Sequence, residues 1–260
     1  TTGTENTAVG QKALLNNTTC SSNTAVGSAA MCGNGTISGA NNTSVGALAL
    51  RCLTSGSENT AVGYYAGLKN STASGNSFFG VCAGYLTTTG VTNVAIGGNS
   101  FDANTTGACN TAVGAGSLGA NTTANHNTAI GYEALAANTE GVANQAFGFR
   151  SLKAVTTGDY NVAVGHRNFL TLTTGSYNTG VGDDTGIEIV SGSNNLLLGA
   201  NSGRSNSPSG ELTGSASNNV VLGNDNISNL FCADTSISSS DLRDKTDIED
   251  FTHGLDFVTK

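Results

Sequence analysis

Three sets of residues in this chain have types and spacings that chemistry can use. Asp183, Asp184 and Glu188 form the one local acidic cluster of the repeats. Carboxylate oxygens gathered in this way suit Ca²⁺, but a solvated turn is the preferred reading. Six cysteines, Cys20, Cys32, Cys52, Cys82, Cys109 and Cys232, have no CxxC spacing, so neither a zinc site nor a disulfide framework is indicated. They read as thiols, with Cys32 and Cys52 alone close enough in the repeat register to consider as a pair. The histidines His126, His166 and His253 are scattered and receive no role. Tyr64, Tyr65, Tyr85, Tyr132, Phe149, Tyr160 and Tyr177 could stack on sugars, although filling coil corners or a chain interface is preferred. No paired carboxylates for glycan hydrolysis stand out. No metal, no cofactor and no foreign-substrate enzyme activity is expected.

These residues hang on a repeat. A glycine ending Asn-Thr-Ala-Val-Gly recurs thirteen times from Gly10 to Gly223, in steps of 17, then 19, then nine of 17, then 24 residues. Four residues before each stands an asparagine: Asn6, Asn23, Asn42, Asn59, Asn76, Asn93, Asn110, Asn127, Asn144, Asn161, Asn178, Asn195 and Asn219. A catalytic or metal role would not need so many copies, so the column is read as a structural ladder of stacked amides. The repeat predicts an all-β, parallel β-solenoid or β-roll of about thirteen 17-residue coils, with a Gly/Asn turn able to supply positive φ. Period-2 alternation separates Thr and Val from Asn, Ala and Gly, and leaves open which set faces inward. Two medium side chains per coil return less than ordering a coil costs, so an obligate oligomer is expected. The 24-residue step carries the only proline, Pro208, and predicts a protruding loop.

Composition narrows the partners. The net charge is −8 and no Lys/Arg cluster exists, which argues against nucleic acid. No run of 18 apolar residues is present, so membrane insertion is not expected. Charge density changes near Ser240: residues 1–239 hold 7 basic and 12 acidic side chains, and residues 240–260 hold 3 and 6. The organisation read from this is a repeat shaft over 1–227, a connector over 228–239 and a distinct segment over 240–260.

The Asn-Thr-Ala-Val-Gly array resembles the heads of trimeric autotransporter adhesins and, more closely, the arrays of phage tail fibres. The run Ser240-Asp241-Leu242-Arg243-Asp244-Lys245-Thr246-Asp247-Ile248, followed by Gly254-Leu255-Asp256-Phe257-Val258, resembles the opening of the endosialidase-type intramolecular chaperone of tail spikes and fibres. The resemblance implies a homotrimeric fibre on a virion, joined to other tail proteins and attaching to a host-surface glycan or protein receptor. It also implies a product longer than this chain. A bacterial adhesin head at the cell surface and an ice-binding solenoid are the alternatives. The latter has a threonine column broken at Ser77, Val94, Gln145, Val162, Leu196 and Val220. By the same resemblance, Ser240 and Lys245 act in self-cleavage of the Ser239–Ser240 bond, with Lys245 as base to the Ser240 hydroxyl. With the complete chaperone attached, the product is expected to split before Ser240, and Ser240→Ala to abolish the split. An intact mass for the wild type would count against this reading.

Overall fold

The computed structural model describes residues 2–229, and the solenoid is a compact unit ending at Asn224. Among the described residues the regular structure is all β, without helix. Thirteen three-residue strands, from β1 (Thr7–Val9) to β13 (Val220–Leu222), lie in chain order in one parallel sheet. Successive strands pair in register, Thr111 beside Thr128, Ala112 beside Ala129 and Val113 beside Ile130. Eleven steps, ten of 17 residues and one of 19, join the first twelve strands, so the fold is a parallel β-solenoid of about eleven turns.

The turn beginning at Asn127 shows why this sequence closes on itself. Thr128–Ile130 is β-branched at both ends and forms a strand. At Gly131 the backbone takes φ +139°, and a Cβ there would stand 2.3 Å from the Gly148 carbonyl oxygen. Only glycine allows both. Further left-handed positions fall on Glu133, Leu135 and Ala143, with φ of 52°, 50° and 56°. This corrects the expected source of positive φ: Gly141, in the Gly/Asn turn, is not left-handed. It is glycine for space, since a Cβ would meet the Gly158 carbonyl oxygen at 2.3 Å.

Backbone groups find partners one turn away in both directions. Thr128 N–H donates to Asn144 O at 2.9 Å, Gly131 N–H to Val113 O at 2.7 Å and Leu135 N–H to Ser151 O at 3.1 Å. Side chains add two ladders. In all twelve steps the Oδ1 of one column asparagine accepts the backbone N–H of the next, at 2.8–3.1 Å. The same side chain's Nδ2 donates to a carbonyl late in its own turn, as Asn127 does to Gly141 O at 2.8 Å. The hydroxyls of Thr88, Thr105, Thr122, Thr139 and Thr156 each donate to the carbonyl of the equivalent threonine in the following turn, at 3.0–3.4 Å.

The inward strand residue is alanine: Ala112, Ala129, Ala146 and Ala163 are fully buried, whereas Val9 and Ile96 of the outward set are 57% and 41% exposed. Alternation therefore resolves with Ala and Asn inside and Thr and Val outside. Leu118, Leu135 and Leu152 fill the opposite wall. Where the alanine is replaced, the wall compensates. Phe78 takes the alanine position, and Gly67 and Gly84 take the leucine positions beside it, where an added Cβ would lie 2.8 and 2.5 Å from the ring. Gly180 makes room in the same way for Phe169, at 2.6 Å.

The two irregular steps keep the register by diverting their extra residues. In the 19-residue step Ile37 is buried and bridges Asn17. The 24-residue step folds back through Leu212 N–H to Gly203 O at 2.8 Å and Gly214 N–H to Glu188 O at 3.1 Å, leaving Pro208 exposed. Compensating volumes make a direct test. Phe78→Ala is expected to cost about 3–5 kcal/mol, and Gly84→Leu to be destabilising by overpacking. The double variant should recover most of the loss in a urea titration, because leucine is the commonest residue at that position of the repeat, as at Leu50, Leu118, Leu135 and Leu152.

Candidate functional site

The column asparagines from Asn23 to Asn195 are buried, and their polar atoms are committed to the ladder. They bind neighbouring turns and present nothing to an outside ligand. Ser240 and Lys245 lie outside the described residues, as do Cys232 and His253. The thiols of Cys20, Cys32, Cys52, Cys82 and Cys109 are free. Cys32 and Cys52 do not pair; the Cys32 Sγ lies 3.9 Å from Arg51 O.

The acidic cluster separates. Asp184 takes the guanidinium of Arg167 on both oxygens, Nε to Oδ1 at 2.7 Å and Nη2 to Oδ2, and Arg204 Nη1 reaches Oδ2 at 3.0 Å. Asp183 Oδ1 lies 2.6 Å from His166 Nδ1. One ligand atom from each of His166, Asp183 and Asp184 falls within 4.8 Å of the others, but guanidinium groups already occupy both oxygens of Asp184. That carboxylate serves as the counter-ion of two arginines. Glu188 stands apart from this group, and its carboxyl is raised by the hydrogen bond it shares with Glu211 and then by burial.

Variable residues concentrate just after the glycine column, where the chain leaves the strand. Tyr132, Phe149 and His166 occupy the same position of three successive turns and stack at 5.4 and 5.3 Å between ring centroids. Tyr160 and Tyr177, just before the asparagine column, stack at 5.2 Å and 9°. Rings stacked along the solenoid cover one another's faces and turn their edges to water. The arrangement thus favours the shape-filling reading for the inner rings and leaves only the outer face of each stack open to a sugar. Tyr64 leans on Tyr65 at 3.9 Å between centroids, and its hydroxyl is raised first by their hydrogen bond and then by burial.

Beside the first stack, Glu133 Oε2 receives Arg150 Nε and Lys153 Nζ, each at 2.8 Å. Hydrogen bonds from Lys153 and Arg150 hold the Glu133 carboxyl below its ordinary range against the opposing effect of burial. The Arg150 guanidinium lies 4.9 Å from the Phe149 ring centroid. Reading residues one at a time along the chain missed this cluster. The signal was present in the spacing: Glu133 and Arg150 are 17 apart, as are Arg167 and Asp184, so the repeat places each pair side by side.

Comparison of the chain with protein-family models, curated proteins and solved structures finds no match.

The Asp184 network has a defined pH signature. The hydrogen bond from Arg167, reinforced by the charges of Arg167 and Arg204, holds Asp184 below the ordinary aspartate value of 3.8, with burial opposing. A depressed folded-state pKa contributes stability above the unfolded value and loses it as pH falls through the folded one. Asp184→Asn is therefore expected to cost about 1 kcal/mol at pH 7, discounted because its partners are one-third exposed. The difference from wild type should shrink as pH falls below the ordinary carboxylate range. Thermal unfolding at pH 7 and pH 3 measures it, and a pH-independent difference would contradict the ion-pair account.

Proposed function

We propose that this chain is the shaft of a homo-oligomeric attachment fibre, a homotrimer of about thirteen-coil solenoids serving as the structural and adhesive part of a phage tail fibre or spike. The observation carrying this reading is the outward face of the sheet. Every strand places a Val, Ile, Phe or Leu at its third residue in one in-register column, and Val164, Val181, Leu198 and Leu222 are 37–44% exposed. Beside it run Thr24, Thr43, Thr60, Thr111 and Thr128, with Val94, Val162, Leu196 and Val220 in the same column. At strand spacings of about 4.8 Å and a two-residue rise of about 7 Å, thirteen strands give a planar footprint of about 400 Å². A face of that size, with an unbroken apolar column beside one of threonine and valine, is comparable to the functional patches of soluble proteins, and sister copies offer a matching one.

Alanine on the inner wall strengthens the case, since small residues supply less hydrophobic stabilisation per turn than the outward Val and Ile would if covered. The resemblance of the repeat and of the segment from Ser240 supports placement on a virion. The surrounding corners, where aromatic and charged residues vary from turn to turn, would then face the host surface. An ice-binding reading draws on the outward threonines, but Phe79, Phe147 and Leu198 roughen the same face, and absence of thermal hysteresis would dismiss it.

Light scattering on the purified chain is expected to give three times the chain mass. Ile96→Arg combined with Ile130→Arg should abolish that species. A wild type that is a stably folded monomer at micromolar concentration would sink the proposal.

A further inference from the structure

Residues 2–229 hold seven lysines and arginines, and four of them, Arg150, Lys153, Arg167 and Arg204, fall between Arg150 and Arg204. The same stretch holds Asp159, Asp183, Asp184 and Glu188, so it is formally neutral within a chain of net charge −8. Arg167 and Arg204 are both spent on Asp184. Arg150 and Lys153 are not spent in that way. They share one oxygen of one carboxylate, Glu133 Oε2, so the group of three carries one uncompensated positive charge.

The donors of Arg150 are also unevenly used. Its Nε–H goes to Glu133 at 2.8 Å, and its guanidinium carbon lies 4.9 Å from the Phe149 ring centroid and 5.8 Å from that of Tyr132. Its two Nη groups have no protein acceptor among the described residues. A guanidinium anchored at Nε beside aromatic rings, with both Nη groups free, is preorganised for a planar or tetrahedral oxyanion. Lys153 adds a compact charge with further N–H donors to spare.

These two cations border an open depression of ≈ 470 Å³. Its remaining lining is Ala137, Ala154, Leu170 and Thr171. Ala137 and Ala154 end a run of four alanines, after Ala103 and Ala120, at the repeat position that Lys69 and Leu86 fill in earlier turns. An apolar floor of this kind accepts the C–H face of a pyranose, while the cationic border accepts an anionic substituent on the same ring.

We infer that the depression bounded by Arg150 and Lys153 binds a saccharide bearing a carboxylate or phosphate, with Arg150 engaging the anion through both Nη groups. The inference deepens the attachment reading and rests on it, by giving the chemical class of receptor that this flank recognises. Ring atoms lie over Ala137, Ala154 and Leu170, and Lys153 supplies the second contact to the anion. Because the border is exposed, binding weakens as ionic strength rises.

The test is calorimetric titration of the full chain, with its mass measured by light scattering in the same samples. The probes are a galacturonic acid trisaccharide, glucose 6-phosphate, neutral maltotriose and a pentaglutamate peptide. Saturable binding of either acidic saccharide, at least tenfold tighter than maltotriose, is the expected result, and the tighter of the two identifies the anion. Arg150→Ala should weaken it tenfold or more. Arg150→Lys should fail to restore it, and Lys12→Ala should leave it unchanged. Neither acidic saccharide binding, equal binding of pentaglutamate, or an unaltered affinity in Arg150→Ala overturns the site. An oligomer that ignores acidic sugars removes this inference and leaves the fibre reading standing, whereas a folded monomer that binds them does the reverse.

Discussion

Everything in the solenoid depends on one recurring hydrogen bond: the side-chain oxygen of a buried asparagine takes the backbone N–H of the asparagine one turn on. The residue must reach two places at once. Its amide group closes its own turn on a late carbonyl, and its oxygen sets the height and rotation of the next turn. Aspartate would lose the donor, glutamine would overreach, and serine would be too short. In an interior lined by alanine on one wall, this fixed polar link supplies registration that shape-packing alone would leave loose. The cost of burying an amide is met because both its ends are satisfied.

Given that registration, the surfaces of the coil divide the work. The inner wall tolerates exchange only when volume is conserved between neighbouring turns, as Phe78 with Gly67 and Gly84 shows. The outward strand face keeps an apolar side chain at the third residue of every strand, although the threonine column beside it is interrupted. The corner after the glycine column is where residues differ freely, with Tyr132, Phe149, His166 and Asp183 following one another at a single position. That freedom is physical: a side chain there makes contacts one turn above and below but none that the closure of the coil requires. Charges placed at adjacent turns pair across the 17-residue spacing, so the corner builds ion clusters without help from the core.

Much of this was open to inspection in the amino-acid order. The asparagine and glycine columns, the parallel stacking and the all-β class follow from the period, because every turn repeats the same demand. What stayed hidden has identifiable reasons. Left-handed backbone at Leu135, Glu133 and Ala143 carries no compositional mark, since neighbouring turns impose it on residues that do not favour it. Period-2 alternation separates two faces but does not say which is inner; only the closeness of the opposite wall, which admits alanine opposite Leu135, decides that. Asp184 and Glu188 look like companions along the chain, yet they occupy different places on the coil. Asp184 belongs instead with Arg167, a full turn away.

The handling of irregular steps has its own consequence. Ile37, taken into the core in the 19-residue second step, and the fold-back around the exposed Pro208 show that surplus residues can be accommodated while the asparagine column continues unbroken. Genetic gain or loss of a whole module therefore alters reach without touching cross-section, and a partial module is survivable where it can bulge outward. Unequal recombination between such similar units becomes a route by which a lineage adjusts the length of this molecule while its anchoring pattern stays constant.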